Sequence, residues 1–442
     1  MKVGLLTLGC AKNEVDSEVM AKVLTEQDYE IIDDYQQAEV LIVNTCGFIN
    51  DAKEESIESI LTLASYKESG NCKKLIVTGC LAQRYKDDLS QDIPEIDAFL
   101  GTGEMDQIAR VINEAKKDEQ LKDSSYFDYD QYLPENNLGD EYSSYVKIAE
   151  GCNNNCSYCV IPQLRGQLKS RKLEKIIAEV EKLAESGVKE INIIAQDITQ
   201  YGLDLYGESK LLELLERLLE IKGIKWFRLL YAYPAHLQDE LIDLIAREDR
   251  ICNYLDLPIQ HVNQRIRKDM KRSGSKQEIM TKINKLRDKI PDIALRTSII
   301  VGFPGESEAE FKELLSFVEK AEFDRLGAFT YSQEEGTLAA KMKEQIPQDL
   351  KEERKDRLME LQKEISYQRN QNLLGQKVTV LVEEIESSND LRIARTQWDA
   401  PEVDGEVYVK DSKAEVGEMI EVEIVEAYEY DLMGVDCNEL TE

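Results

Sequence analysis

Residues 151–159 read Gly-Cys-Asn-Asn-Asn-Cys-Ser-Tyr-Cys and place three cysteines, Cys152, Cys156 and Cys159, on one short segment. The segment follows a strand-like run from Tyr145 to Ile148, so we expect it to form the loop after that strand. Three thiolates on such a loop can surround a cubane iron-sulfur cluster, and no fourth cysteine lies nearby in the sequence to close it. The spacing therefore predicts a cluster with one open iron. A zinc knuckle is the alternative, although it ordinarily requires a fourth cysteine or a histidine.

The sequence after this segment alternates between strand-like and helical patterns. Apolar residues recur at helical spacing from Leu173 to Ser186 and from Leu211 to Ile221. The alternation predicts a partial or complete parallel β/α barrel over residues 138–368, with its chemistry at the carboxyl ends of the strands. The further strand-like runs are Glu190 to Ala195, Trp226 to Tyr231, Tyr254 to Ile259, Ala294 to Val301 and Leu326 to Tyr331.

Residues 1–117 carry a separate α/β pattern, which predicts an N-terminal parallel sheet covered by helices. Cys10, Cys46 and Cys80 each come just past the carboxyl end of a strand-like run. Because ligands collect at that edge of an open parallel sheet, we expect the three cysteines to converge on one site. The alternative is that they are ordinary buried cysteines, which pack as small apolar residues.

The last part of the chain has a different pattern. Residues 118–137 are predicted to be an acidic linker, and Gln348 to Asn372 a charged helical connector. Residues 371–438 alternate apolar and polar positions between turn signals, which predicts a small antiparallel β-barrel of five strands. Its strand-like runs are Lys377 to Val382, Leu391 to Thr396, Gly405 to Val409 and Met419 to Ala427.

Charge restricts the class of partner. The chain of 442 residues carries 87 Asp and Glu against 55 Lys and Arg, a net charge of −32. This favours basic partners and makes nucleic acid an unlikely direct substrate, although acidity can also serve solubility alone. Residues 371–442 have a net charge of −14, so the predicted barrel should prefer a basic partner or bind nothing. No apolar run is long enough for a membrane span and no secretory signal is recognisable, so we expect a cytoplasmic protein.

These motifs together carry a family resemblance. The 151–159 segment, with an aromatic residue before its last cysteine, resembles the radical SAM superfamily, whose members hold a 4Fe-4S cluster on three cysteines and bind S-adenosylmethionine (SAM) there. With the upstream cysteines and the terminal barrel, the whole chain resembles the methylthiotransferases of that superfamily. Residues 9–18, Gly-Cys-Ala-Lys-Asn-Glu-Val-Asp-Ser-Glu, are similar to the RimO branch, whereas the tRNA-modifying MiaB branch usually has Gln-Met after this cysteine. The RimO branch is also similar to this chain at residues 44–49, 78–85 and 158–162 and at Arg165-Gly166.

The resemblance implies two 4Fe-4S clusters, one on Cys152, Cys156 and Cys159 (the loop trio) and an auxiliary one on Cys10, Cys46 and Cys80 (the upstream trio). It implies methylthiolation of an aspartate β-carbon in small-subunit ribosomal protein number twelve, a basic protein. One SAM donates its methyl group to sulfur at the upstream trio. A second SAM, split at the loop trio, gives the 5′-deoxyadenosyl radical that removes a β-hydrogen. The barrel resembles the TRAM domain, which contacts the substrate macromolecule, and no catalytic residue beyond the cluster ligands is expected.

The resemblance also suggests which residues contact SAM. An acceptor at Gln196 or Asp197 would suit the amino group of SAM, although Asp197 could simply cap the following turn. A glycine at Gly302 would let the backbone approach SAM, although a tight turn explains it equally well. The full set of predicted SAM contacts is Tyr158, Gln196, Asp197, Gln260, Arg296, Ser298 and Gly302.

Several points stay open at this level. A tRNA-adenosine methylthiotransferase is the nearest alternative function, and a non-catalytic iron-sulfur or zinc scaffold is a more distant one. An external, flavodoxin-like electron donor is implied, because no flavin or nicotinamide fingerprint is apparent. Cys72, Cys252 and Cys437 are expected to be ordinary cysteines, with Cys252 in a connection between a helix and a strand. The segment from Tyr331 to Thr337 also resembles the family, although Glu334 and Glu335 on it could simply belong to a solvated loop, which is the expectation we adopt for them.

Overall fold

The computed structural model describes residues 1–114, 121, 142–386 and 391–438. The N-terminal domain is a five-stranded parallel sheet with strand order β2-β1-β3-β4-β5. Alternate residues of β3 enter two separate apolar clusters, so helices cover both faces of the sheet. The strands are β1 (Lys2–Thr7), β2 (Glu30–Ile31), β3 (Val40–Thr45), β4 (Lys74–Thr78) and β5 (Ala98–Leu100), and the helices are α1 (Ala11–Thr25), α2 (Asn50–Ala64), α3 (Tyr66–Ser69), α4 (Gly79–Asp92) and α5 (Ile108–Glu114).

The central domain is a six-stranded parallel sheet in which the strands follow one another in chain order, as in a partial β/α barrel. Its strands are β6 (Ser143–Lys147), β9 (Glu190–Ile194), β10 (Trp226–Leu229), β11 (Ile251–Asp256), β12 (Ala294–Val301) and β13 (Arg325–Thr330). A short antiparallel pair, β7 (Ala149–Glu150) and β8 (Lys169–Ser170), encloses the loop that carries residues 151–159.

Helices follow the central strands as the apolar spacing predicts. They are α6 (Ile161–Leu164), α7 (Leu173–Ser186), α8 (Leu203–Tyr206), α9 (Leu211–Leu218), α10 (Asp239–Arg247), α11 (Gln264–Asp269), α12 (Lys276–Lys289), α13 (Glu308–Ala321) and α14 (Gln348–Gln371). One strand differs from expectation, since β11 begins three residues before the predicted Tyr254. Cys252 is therefore a fully buried strand residue and not part of a connection. The link between the end of α10 at Arg247 and the start of β11 is shorter than the sequence suggested.

The C-terminal domain is a closed barrel with strand order β14-β15-β16-β18-β17, which confirms the predicted five-stranded barrel. The strands are β14 (Lys377–Glu386), β15 (Leu391–Thr396), β16 (Val407–Lys410), β17 (Met419–Ala427) and β18 (Leu432–Asp436). The fifth strand, β18, was not located in the sequence. It closes the barrel by pairing parallel to β16, whereas the other pairs are antiparallel.

All three domains meet in one apolar cluster against the central sheet. Ala11 and Val15 reach it from α1, and Leu381 and Ala400 reach it from the barrel. A buried ion pair beside this cluster also joins the barrel to the central sheet, since Glu190 accepts from Arg395 at 2.5 Å. The predicted linker 118–137 lies outside the described residues apart from Leu121. In the part of the chain that the structure describes, no helix is both long and apolar enough to cross a membrane.

Candidate active site at the junction of the N-terminal and central domains

The loop trio lies on the loop between β7 and α6, at the carboxyl end of the first central strand. The loop is fastened at its base, because the amide of Cys152 donates to the Gly166 carbonyl at 3.2 Å. The side-chain oxygen of Asn153 accepts from the Leu168 amide at 3.0 Å. These bonds fold residues 151–168 back on themselves, so three thiols that are close in sequence are also held close in space.

The thiols of the loop trio influence one another. Burial, together with the charges of the neighbouring Cys156 and Cys152, raises the pKa of Cys159 to about 12. Burial also raises the pKa of Cys152 to about 11. Buried thiols of this kind become thiolates only beside a compensating positive charge, which a bound metal supplies.

The upstream trio assembles at the carboxyl edge of the N-terminal sheet, as the strand-end pattern predicts. Cys10 precedes α1, Cys46 follows β3, and Cys80 lies in the first turn of α4 after β4. A Cβ atom added to Gly9, whose φ is +100°, would lie 2.7 Å from the Cβ of Cys46 and 3.0 Å from its Sγ. Only glycine leaves this space. Gly9, which lies between β1 and Cys10, therefore lets Cys46 approach Cys10.

The third cysteine belongs to the same group. Burial raises the pKa of Cys46 to about 12, with Cys80 and then Cys10 as further causes in the same direction. Burial likewise raises the pKa of Cys80, while the guanidinium of Arg165 lowers it through charge and a hydrogen bond. The three thiols therefore share one electrostatic environment at the edge of the sheet.

The two trios are neighbours. Cys80 packs in an apolar cluster with Val160 and Leu164, and Val160 directly follows Cys159 of the loop trio. The Leu164 carbonyl also accepts from the Thr102 hydroxyl of the N-terminal domain at 2.7 Å. The segment after the loop trio is thus the surface against which the upstream trio is docked.

A buried network of charges joins the trios. Arg165 pairs with Glu150 of β7 at 3.0 Å and with Asp16 of α1 at 2.9 Å. Lys147 pairs with the same two carboxylates at 2.7 and 2.5 Å. Two cations and two anions balance, which is the condition for burying charge at a modest cost. Arg165 also donates to Asn13, so residues of the 9–18 motif hold the N-terminal domain on the central one.

Both trios offer sulfur donors only, which is the ligand type that holds iron-sulfur clusters. Within the described residues, no group of three or more His, Cys, Asp or Glu side chains is arranged to hold one metal ion. A cubane cluster is wider than one ion, and it holds its three thiolates on three different irons. Each trio offers three sulfur donors, and in this part of the chain no fourth cysteine joins either of them.

The predicted SAM contacts at the end of β9 make hydrogen bonds within the protein. Asp197 accepts from the Thr199 amide at 3.0 Å and therefore caps the next turn, which is the alternative considered for it. Its other oxygen accepts from Asn154 of the trio loop at 2.8 Å and from Gln200 at 2.9 Å. Gln196 donates to Glu150 of the charge network, and its side-chain oxygen is buried without a partner.

Tyr158 is held by a residue that the sequence did not reveal. Arg272 donates to the Tyr158 hydroxyl at 3.3 Å and lies 3.7 Å from the Sγ of Cys156. Its guanidinium also donates to the Pro258 carbonyl. A cation so placed stabilises negative charge on the loop trio. Nothing in the sequence near Arg272 marked this role, because the contact joins segments more than a hundred residues apart.

The other predicted SAM contacts lie on β12 and the end of β11. Gln260 adopts a φ of +67°, a strained value for a residue with a side chain, and its amide donates to the Ser298 carbonyl at 2.8 Å. Arg296 pairs with Asp256 at 3.2 Å and with Asp404 of the barrel at 3.3 Å. A Cβ atom on Gly302 would overlap Lys351, so the turn and this packing account for the glycine. A SAM role for these residues stays a prediction.

The expectation for Glu334 is wrong. Glu334 is buried and pairs with two residues of the N-terminal domain, Lys53 at 2.9 Å and Arg84 at 2.5 Å. Its neighbour Glu335 is exposed, but the Glu335 carbonyl accepts from Arg84 at 2.9 Å. A carboxylate in a polar loop looks solvated in the sequence because its partners come from another domain.

Comparisons with known proteins identify the family. Family models match residues 2–101 (Uncharacterized protein family UPF0004), 146–318 (Radical SAM superfamily) and 374–435 (TRAM domain). The ribosomal protein uS12 methylthiotransferase RimO of Clostridioides difficile is 50% identical over 437 residues, which cover 98% of both chains. The chain belongs to the RimO family of radical SAM methylthiotransferases. The RimO of Desulforamulus reducens is 52% identical over 438 residues, again covering 98% of both chains.

Solved structures share the fold of this family member. The radical S-adenosylmethionine methyltransferase TsrM from Kitasatospora setae, solved with cobalamin and a 4Fe-4S cluster, matches 74% of each chain with a TM-score of 0.52 and 15% identity. Apo OxsB, a cobalamin-dependent S-adenosylmethionine radical enzyme, matches 83% of this chain and 56% of its own with a TM-score of 0.53 and 13% identity. At these identities the likeness concerns the fold alone.

Proposed function

We propose that this enzyme attaches a methylthio group to the β-carbon of an aspartate in ribosomal protein uS12. The names of its RimO relatives, about half identical over nearly the whole chain, support the substrate. The observation that carries the chemistry is the contact between Cys80 of the upstream trio and Val160, the residue after the loop trio. Trios held on adjoining segments in this way would allow a radical made at one to meet the sulfur carried at the other.

We propose that each trio holds one 4Fe-4S cluster with an open iron. When bound, the loop-trio cluster supplies the electron that cleaves SAM, and the upstream cluster carries the sulfur to be methylated. The chain's own residues hold these groups in place. Arg165 lies beside Cys80, and Arg272 lies beside Cys156, so each trio has a guanidinium that can stabilise its thiolates.

The remaining expectations are proposals of the same kind. The net charge of −14 on residues 371–442 suits uS12 if it is basic, and makes RNA an unfavourable direct substrate. A flavodoxin-like donor would supply the electron in the cytoplasm. We also propose the domain limits 1–117, 118–137, 138–368 and 371–438, and SAM contacts from Tyr158, Gln196, Asp197, Gln260, Arg296, Ser298 and Gly302.

The test is anaerobic reconstitution with iron and sulfide, followed by reaction with SAM, dithionite and purified uS12. We expect mass spectrometry to find one methylthio group on one uS12 aspartate, together with 5′-deoxyadenosine and S-adenosylhomocysteine. A parallel reaction offers bulk tRNA. Methylthioadenosine in the tRNA with unmodified uS12 would contradict the proposal, and so would iron binding without release of either SAM product.

A further inference from the structure

Lys12 is a buried cation that forms no ion pair with a carboxylate of the described residues, although the sulfur of Cys10 favours its charge. The residue lies on α1, two positions after Cys10, and only 6% of its surface is exposed. Its Nζ lies 2.9 Å from the centroid of the Tyr231 ring. Among the described residues, its ammonium makes no hydrogen bond or ion pair. Burying a charge without an acceptor is costly, and a cation–π contact offsets only part of that cost.

The carboxylates closest to Lys12 are committed elsewhere. Both carboxylate oxygens of Glu150 accept hydrogen bonds, from Lys147, Arg165 and Gln196. Asp256 pairs with Arg296 through one oxygen, and the other accepts from the Tyr231 amide at 3.1 Å. A new carboxylate therefore meets an ammonium that has no ion pair with another carboxylate.

A chain of contacts connects Lys12 to the segments that carry the two trios. On one side it is two residues from Cys10 of the upstream trio. On the other it covers Tyr231, whose carbonyl accepts from the Ile198 amide at 3.1 Å. Ile198 follows Asp197, and Asp197 is bonded to Asn154 within the trio loop. A group held by Lys12 is thus connected through these contacts to the segments that carry the two sets of thiols.

The backbone around Lys12 is strained as functional sites often are. Tyr231 has a φ of +65° at the end of β10, and Gln260 has a φ of +67° beyond the end of the adjacent β11. Bulky residues adopt this conformation at an energetic cost, and it persists only where the surroundings impose it. The Tyr231 ring contacts α1, where the Lys12 ammonium lies over it.

We propose that Lys12 binds the side-chain carboxylate of the aspartate to be modified. This inference rests on the proposed function, and it names the residue that would distinguish an aspartate from an uncharged side chain. The reacting β-carbon is directly bonded to the carboxylate carbon, so fixing the carboxylate also fixes the carbon that must react. Lys12 is a substrate-binding residue in this role, and it exchanges no proton.

The test compares Lys12→Met with a matched control. Lys351 is also buried and its Nζ lies over a tyrosine ring, Tyr331, at 5.2 Å, but it donates to the Tyr331 carbonyl at 2.7 Å. Lys351→Met therefore removes a buried ammonium that already has its acceptor. Each protein is reconstituted, and its Kd is measured for uS12 and for uS12 with the target aspartate replaced by asparagine. Iron content, Kd for SAM and thermal stability are recorded in parallel.

We expect Lys12→Met to raise the Kd for uS12 by about 10- to 100-fold, the usual worth of a buried charge-assisted bond. The Kd for the asparagine substrate should not change, and neither should iron content or the Kd for SAM. Thermal stability should be equal or higher, since an unmatched charge has been removed. Lys351→Met should not alter the preference for aspartate over asparagine.

Three outcomes would overturn the inference. One is an equal loss of affinity for both substrates, which would mark Lys12 as structural. The second is a raised Kd for SAM, which would assign Lys12 to the SAM carboxylate. The third is an unchanged Kd for uS12 in Lys12→Met while the wild type methylthiolates uS12. A wild type that leaves uS12 unmodified contradicts the proposed function instead, so the two failures are distinct.

Discussion

The two cysteine trios reach the same junction by different routes. The loop trio needs only a nine-residue segment and the bonds that fasten its base. The upstream trio needs three strands in register, one cysteine after each, and a glycine that lets Cys46 approach. The first site is therefore a property of a loop, and the second is a property of a whole domain. A substitution in one trio should therefore leave the function of the other trio intact.

The largest effect is expected for Cys156→Ala in the loop trio. Loss of a thiolate ligand should lower 5′-deoxyadenosine formation by more than the roughly 100-fold that loss of an outer partner causes. The measurement is chromatography of the nucleoside after reaction with SAM and dithionite. Cys252→Ala is the matched control in the same domain, because Cys252 is fully buried and belongs to neither trio. Wild-type amounts of 5′-deoxyadenosine from Cys156→Ala would contradict the assignment.

Cys46→Ala should separate the two sites. We expect this variant to form 5′-deoxyadenosine while methylthiolated uS12 falls below detection, because the loop trio is intact. Mass spectrometry of uS12 and quantification of the nucleoside in the same reaction check both halves. Cys72→Ala, a buried cysteine of the same domain, should behave as the wild type. Full methylthiolation by Cys46→Ala would show that the upstream trio is not the sulfur site.

Arg165→Lys tests the bridge between the trios. The substitution keeps the charge but loses the planar fork that spans Glu150, Asp16 and Cys80. We expect about a tenfold fall in product per 5′-deoxyadenosine, with SAM cleavage less affected. Arg228→Lys is the control, because Arg228 is as deeply buried and pairs with Glu190 away from the trios. A similar fall in the control would mean that the ratio reports general stability.

The same contrast explains what the sequence could predict. The loop trio was readable because all its ligands lie on one segment, and the upstream trio because strand ends of a parallel sheet share an edge. The arginine and carboxylate pairs between domains were not readable, since their partners lie far apart in the chain. Glu334 shows this most clearly, because a polar loop and a buried interdomain anchor have the same local sequence pattern.

Sequence reasoning also failed at single residues within correct elements. Cys252 was assigned to a connection because β11 begins earlier than its β-branched and aromatic run suggests. The sequence does not mark β18 as a strand, although it forms an antiparallel hairpin with β17, because Gly434 and Asp436 are residue types that strands disfavour. The sequence shows Lys12 only as a member of the 9–18 motif. Its lack of an ion pair with a carboxylate depends on where Glu150 and Asp256 direct their oxygens, which no spacing reveals.

Glu334→Gln is expected to have the smallest effect. It weakens the docking of the N-terminal domain on the central domain, which the upstream trio needs and the loop trio does not. Burial favours the neutral form of Glu334, but hydrogen bonds from Ser332, Lys53 and Arg84 outweigh it and hold its pKa below the ordinary value of 4.5. A lowered pKa contributes stability that is complete above pH 4.5 and is lost as pH falls through the folded-state pKa. Glutamine should therefore lower stability by about 1–2 kcal/mol at pH 7.

Melting curves from pH 7 to pH 4 check this sign. The difference in Tm between wild type and Glu334→Gln should be largest at neutral pH and should shrink toward pH 4, because protonation makes the two side chains alike. Glu335→Gln supplies the control, since the exposed Glu335 bonds to Arg84 only through its backbone carbonyl. If the trios differ as argued, weakened docking at neutral pH lowers methylthiolation while 5′-deoxyadenosine formation persists. A gap that widens in acid would mean that Glu334 does not anchor the N-terminal domain as a carboxylate.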